Sequence, residues 1–177
     1  MKKPIKVSEY AQRILEALPR GALLNTQADK FDAMVIGWGA LGQVWGMPAM
    51  TVYVRRGRFT REQLDEAGEF TVSVPLGDPI PEINRICGTL SGRVVDKVDA
   101  ANLELEPPEV IATPGVRQYP LTLECKVLYA QEQDLSRLPK DIRERMYPQD
   151  VDGDYPMSNR DPHTAYIGRI VSAYIIE

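Results

Sequence analysis

The stretch DAMVIGWGALGQVWGMPAMTVYVRRGRFT, residues 32–60, decides the fold. It holds two β-like runs, AMVIGWGA from Ala33 and AMTVYV from Ala49, with Gly46 and Pro48 between them. Gly37, Gly39 and Gly42 match the dinucleotide fingerprint G-x-G-x-x-G, but that fingerprint needs a helix directly afterwards. Gly46 and Pro48 break the turns such a helix would need, so a Rossmann unit is rejected on context. The glycines either permit bulges and close approach between strands, or bare the backbone so that it can meet the edge of a flat heterocycle. Trp38 and Trp45 pose the same choice, and composition favours core packing over ligand stacking.

Working outward, ALLNT (22–26) and the polar turn QADK (27–30) precede this stretch, a spacing that suits antiparallel strands. After it, TREQ (60–63) has the form of a capping box, with Leu64 and Ala67 as an inner face and Gly68 as the stop. EFTVSVP (69–75) alternates like a strand with one buried face. Asp78–Pro79 reads as a helix start, with Ile80, Ile83, Cys87 and Leu90 at helical spacing. LEPPEVIATPG reads as loop, followed by a long alternating strand through Leu121, Leu123, Cys125, Val127 and Tyr129 and a final strand TAYIGRIVSAYII. Residues 1–20 are expected to form a helix capped by Ser8, with Tyr10, Ile14, Leu15 and Leu18 on one face. Residues 147–163, rich in Asp, Pro and Gly, are expected to be an exposed loop that becomes ordered against a ligand or partner.

The chain of 177 residues is 44% hydrophobic, which suits one domain spanning 1–177. A net charge of −4 offers no general attraction to nucleic acid or to a membrane surface, so any anion must be held locally. The basic opening MKKPIKVSEY is followed by Glu9, Arg13 and Glu16, which interrupt any signal-peptide core, and the cytoplasm is the expected compartment. Cys87 and Cys125 lie far apart without a C-x-x-C pair, which points to buried packing rather than zinc or a disulfide.

VRRGRFT (54–60) is the strongest chemical signal, because it sets Arg55, Arg56 and Arg58 at a strand end, just before a helix N-terminus. A phosphate there would meet backbone N–H groups, the helix dipole, the Thr60 hydroxyl and guanidinium donors. The alternative is three solvated arginines with Thr60 acting only as a cap. CGTLSGRVVDK (87–97) places Ser91 and Gly92 at a helix end, with Lys97 soon after. It lacks the order of a nucleophile elbow, and the single histidine, His163, makes a Ser-His-Asp hydrolase a poor fit.

In order along the chain, DAMVIGWGALGQVWGMPAMTVYVRRGRFT, EFTVSVP, CGTLSGRVVDK and DPHTAYIGRIV resemble the flavin reductase-like family of FMN-binding split barrels, in the branch that includes flavoredoxins. The resemblance runs from about Gly21 to Val171 and implies a mainly β, antiparallel, Greek-key-like split β-barrel with accessory helices. It also implies a homodimer and non-covalent FMN near the subunit interface. By the matching motifs, Gly37, Trp38 and Gly39 lie along the isoalloxazine, and Arg55, Arg58, Phe59 and Thr60 hold the phosphate and ribityl. Ser91, Gly92 and Lys97 approach the flavin, with Lys97 as a redox-tuning cation near its N1/C2 edge, and His163 and Tyr166 stand near the site entrance. No protein group is assigned as catalytic, since the flavin N5 carries the chemistry.

Three departures from the family pattern stand out: Asp32 where asparagine is expected, Arg56–Gly57 in place of Pro–Ser, and PMSNRD (156–161), which looks inserted before His163. A carboxylate at Asp32 is unwelcome near a flavin unless it turns away or is protonated. The implied function is an NAD(P)H-dependent flavin reductase or a flavoredoxin-like electron carrier, whose acceptor is free flavin, ferric iron or a protein. A flavin-binding module without turnover, and an interaction protein with an empty pocket, are the competing readings.

Overall fold

The computed structural model describes residues 1–152 and 160–177. Its ten strands are β1 (Lys2–Pro4), β2 (Ala22–Gln27), β3 (Phe31–Ile36), β4 (Gly39–Val44), β5 (Met47–Arg55), β6 (Glu69–Val74), β7 (Leu105–Glu106), β8 (Gly115–Val116), β9 (Leu121–Glu132) and β10 (His163–Ile176). The α-helices are α1 (Val7–Ala17), α2 (Phe59–Ala67), α3 (Pro81–Thr89), α4 (Lys97–Ala100) and α5 (Lys140–Met146). One antiparallel sheet runs β3-β2-β6-β9-β10-β5-β4, and β1 joins the far end of β10 beyond the reach of β5. β7 and β8 pair separately.

The sheet curls because strands distant in this order bury side chains together. Met34 and Ile36 of β3 share one core with Val52 and Val54 of β5, together with Phe70, Val72, Leu121 and Leu123 from the strands between. Ile14, Ala17 and Leu18 close one end of that core. Bulges in β10 at Ile167/Gly168 and Ile170/Ser172 supply curvature. Gly168 is required at the first, since a Cβ there would come within 2.6 Å of the Phe70 ring. Side chains alternate across a strand, so Leu23 and Ala33 face the other way, into a second core under α3 and α4 with Ile83, Ile86 and Tyr119.

Several local expectations change. α1 begins at Val7 after Lys6, and no side chain caps it, so Ser8 lies inside the helix. A short strand, β1, precedes it, and Leu15 is exposed while Ile14 and Leu18 are buried. α3 begins at Pro81 rather than at Asp78–Pro79. α2 follows Arg58, which leaves Thr60 inside the first turn, while Gly68 ends the helix in the left-handed region as expected. β6 is buried on both faces, because the segment around 113–116 covers its outer side: Thr71 donates to Pro114 O, and Ser73 accepts from Val116 N. Neither tryptophan is a core residue; Trp38 is half-buried and Trp45 is 62% exposed. Tyr147 and His163, the two ends of the expected exposed loop, are both buried, and His163 opens β10. Residues 153–159, including most of the segment that looks inserted, lie outside the described residues. Both cysteines are buried free thiols, and burial pushes Cys87 up to about 11.

Candidate functional site

The site grows from the start of β3. Asp32 is almost wholly buried, and its charge is matched by Lys97, whose ammonium lies 2.8 Å from Oδ1. Lys97 also donates to Ala33 O at 2.7 Å, and the Thr60 hydroxyl donates to Asp32 Oδ2 at 2.7 Å. This ties β3, α4 and the first turn of α2 into one buried polar knot. The unwelcome carboxylate therefore does not turn away: it is the counter-ion of the lysine. Lys97 is no exposed loop residue, and its charge is neutralised within the protein rather than offered alone to a ligand. Thr60 spends its only hydroxyl proton on Asp32, so it cannot also donate that proton to a phosphate.

Above the knot opens a cavity of about 320 Å³, lined by Arg55, Arg58, Phe59, Thr60, Ser91 and Gly92. Arg55 ends β5 and Arg58 immediately precedes α2, whose first amides have no acceptor within the helix. Burial, then repulsion from Arg55, lowers Arg58 to about 10, against a partial opposing pull from Asp32. Burial likewise lowers Arg55, partly offset by Asp161. Two half-buried guanidiniums beside a helix N-terminus make a pocket whose field favours an anion. Arg56 is exposed, is held by Glu132, and does not line this cavity. Gly92 is needed for close approach: a Cβ there would stand 2.7 Å from Phe59 Cδ1 and nearer still to Asp32 Oδ1.

Met34, Arg55, Arg58 and Thr89 also line a second cavity of about 580 Å³, bounded by Gly37, Trp38, Tyr53 and His163. The β5–β10 register sets His163 opposite Arg55. The Trp38 and His163 rings lie 4.8 Å apart, and the Tyr147 hydroxyl is 3.1 Å from His163 Nδ1. Tyr147 donates to Gln133 Oε1, which leaves Nδ1–H of His163 as the donor to Tyr147 Oη. Burial, then the charges of Arg55 and Arg58, push His163 down to about 4, so its ring is neutral at physiological pH. A phosphate-sized cationic chamber thus opens into a broader chamber with an aromatic side.

Of the thirteen residues singled out in the sequence, nearly all line these chambers or their floor. Gly39 lies one step outside, on β4, in a shallower hollow beyond Trp38. Tyr166 does not belong: it is a core residue of β10 whose hydroxyl donates to Asp65 of α2 at 2.6 Å. Sequence reasoning missed Arg93, Thr89 and Asp161 at the cationic chamber and Tyr53, Tyr147 and Gln133 beside the aromatic wall. Alternation marks Tyr53 as the outward neighbour of Val52 and Val54, a signal that was available.

This architecture, a curled and incompletely closed antiparallel barrel with cationic and aromatic chambers beside it, is that of a split-barrel protein. The chain belongs to the flavin reductase-like domain family, whose sequence model matches residues 15–177. That makes it a member of a flavin-related oxidoreductase family. Flavoredoxin from Methanosarcina acetivorans is similar in structure, with TM-score 0.65 and 24% identity over 89% of this chain and 68% of that one. An FMN-binding domain of a flavin reductase-like enzyme from Shewanella baltica gives TM-score 0.65 at 16% identity, over 99% and 77% of the two chains. At these identities the likeness establishes the fold. An uncharacterized protein of Archaeoglobus fulgidus is 26% identical over 109 residues, which span 62% of this chain and 60% of that relative's length.

Proposed function

We propose that this chain is a flavin oxidoreductase that holds FMN with its phosphate in the Arg55–Arg58 chamber and its ring in the chamber beside Trp38. The observation that carries this is geometric: Arg55 and Arg58, both half-buried, line one cavity where α2 begins. The donor set fits a phosphomonoester: Arg55, Arg58 and the amides of Phe59 and Thr60 bind it, and Asp32 fixes Thr60 so that the turn stays in place. Gly37 and Trp38 offer backbone and an aromatic edge to a flat heterocycle, and neutral His163 lines the same wall without adding charge. When bound, the flavin supplies the redox chemistry, accepting a hydride and passing electrons on. The reductant in this proposal is NAD(P)H, and the acceptor is free flavin, ferric iron or a protein.

The test has two parts. Purified protein titrated with FMN and with riboflavin should bind FMN more tightly, by about 1.5–3 kcal/mol for each charge-assisted hydrogen bond that riboflavin, without a phosphate, does not make. NAD(P)H oxidation should then depend on added FMN. Equal affinities would remove the phosphate role of Arg55 and Arg58; FMN binding without turnover would leave a carrier or binding module. The proposal includes a homodimer, supported by the exposed Trp45 and Tyr129, whose rings lie 6.4 Å apart beside the edge strand β4. Sedimentation as a monomer at micromolar concentration with FMN bound would refute it.

A further inference from the structure

Among the described residues, Arg93 spans the outer wall of the cationic chamber. Arg93 follows Gly92, whose backbone is pressed against Asp32 and Phe59, so its starting point is fixed. From there it spans to the opposite wall: Nη1 donates to Gly57 O at 3.1 Å, and Nη2 pairs with Glu62 on α2. Its guanidinium also lies 5.7 Å from the centre of the Phe59 ring. The side chain lines the cavity yet is 42% exposed, so it forms the boundary between chamber and solvent. Carboxylates flank this boundary: Glu62 holds Arg93 from outside, and Asp161 lines the chamber beside Gly57.

We infer that Arg93 is a latch that closes the phosphate end of the cavity and makes the site select a flavin mononucleotide over a flavin dinucleotide. This rests on the flavin reading given above. A phosphomonoester ends inside the chamber and has no need of that opening. A dinucleotide must carry its second phosphate and adenosine out past the first phosphate, where the chain meets Arg93 and then two carboxylates. Arg93 adds little to binding a monoester, because its donors are engaged by Gly57 and its charge is answered by Glu62. Its contribution is discrimination between ligands.

The experiment measures dissociation constants of FMN, FAD and riboflavin for wild type, Arg93→Ala and Glu62→Gln. Wild type should prefer FMN to FAD. Arg93→Ala should lower the FAD-to-FMN ratio of dissociation constants by at least about tenfold, equivalent to about 1.4 kcal/mol. Glu62→Gln, an exposed isosteric change that loosens the latch from outside, should lower it by about threefold, with riboflavin affinity unchanged in both variants. Equal affinity of wild type for FMN and FAD, or unchanged ratios in both variants while FMN still binds, would overturn the latch alone. Wild-type protein that takes up no flavin at all would overturn the flavin reading itself.

Discussion

Replacing Lys97 by methionine should destabilise the fold, not only alter a bound ligand. The Lys97–Asp32 separation of 2.8 Å corresponds to an attraction of about 6 kcal/mol at an effective dielectric of about 20. Desolvation of two buried ions consumes most of that, so the pair adds little by itself. Removing one partner leaves a buried charge, at a cost of about 3–5 kcal/mol. The Thr60 hydroxyl still serves Asp32 in the variant, which places the expected loss toward the lower end. For a chain of this length each kcal/mol moves Tm by roughly 2–4 °C, so a loss of about 3 kcal/mol lowers Tm by roughly 6–12 °C. Asp32→Asn alone should also destabilise, whereas Asp32→Asn/Lys97→Met, with no stranded charge, should recover at least about half of the loss. Urea unfolding of the four proteins at pH 7 gives the coupling directly. Single-variant losses that add within about 0.5 kcal/mol would refute the buried pair, as would a Lys97→Met protein that unfolds at the wild-type midpoint.

Gly92→Ala should impair both stability and FMN binding, because Asp32 is held by Lys97 and Thr60 and cannot yield to the new Cβ; Gly42→Ala, with nothing within 4 Å, is the control for an ordinary strand site. Because His163 is lowered to about 4 in the fold, the unfolded chain binds the extra proton first as pH falls. Its contribution is therefore full above about pH 6.5 and lost on descending toward pH 4, and His163→Gln should flatten that part of the urea-midpoint profile. Glu124→Gln should loosen the segment around 109–111, whose three amides donate to that buried carboxylate, and amide exchange there should accelerate.

Strands were legible wherever one face is apolar and the other is not, as in β9 and β10, and the charge-dense VRRGRFT pointed to the cationic chamber through Arg55 and Arg58, whereas Arg56 is exposed against Glu132 and Thr60 serves Asp32. β6 misled because Thr71 and Ser73 look like solvent-facing residues, yet their hydroxyls satisfy the backbone of a covering segment that has no pattern of its own. Thr60 matched a capping box, but a capping preference of about 1 kcal/mol yields to a buried carboxylate in reach of its hydroxyl. Asp32 looked anomalous because its partner, Lys97, comes from the short helix α4, far along the chain. Tyr147 was hidden by the Asp, Pro and Gly that follow it, and Arg93 by standing in a loop where an arginine ordinarily faces water.

The hairpin of β2 and β3 has no face of its own to give to solvent. Leu24 and Met34 belong to the barrel core, Leu23 and Ala33 to the core under α3 and α4, and Asp32 sits at its tip. In kinetic terms such a hairpin is a shared partition that gains its full stability only when both compartments have condensed. The cationic chamber, floored by this partition and by Lys97 of α4, keeps its shape only while both compartments stay closed. A ligand that bridges β5, α2 and β3 would in turn slow amide exchange throughout α3 and α4, which line the chambers and whose opening removes their floor.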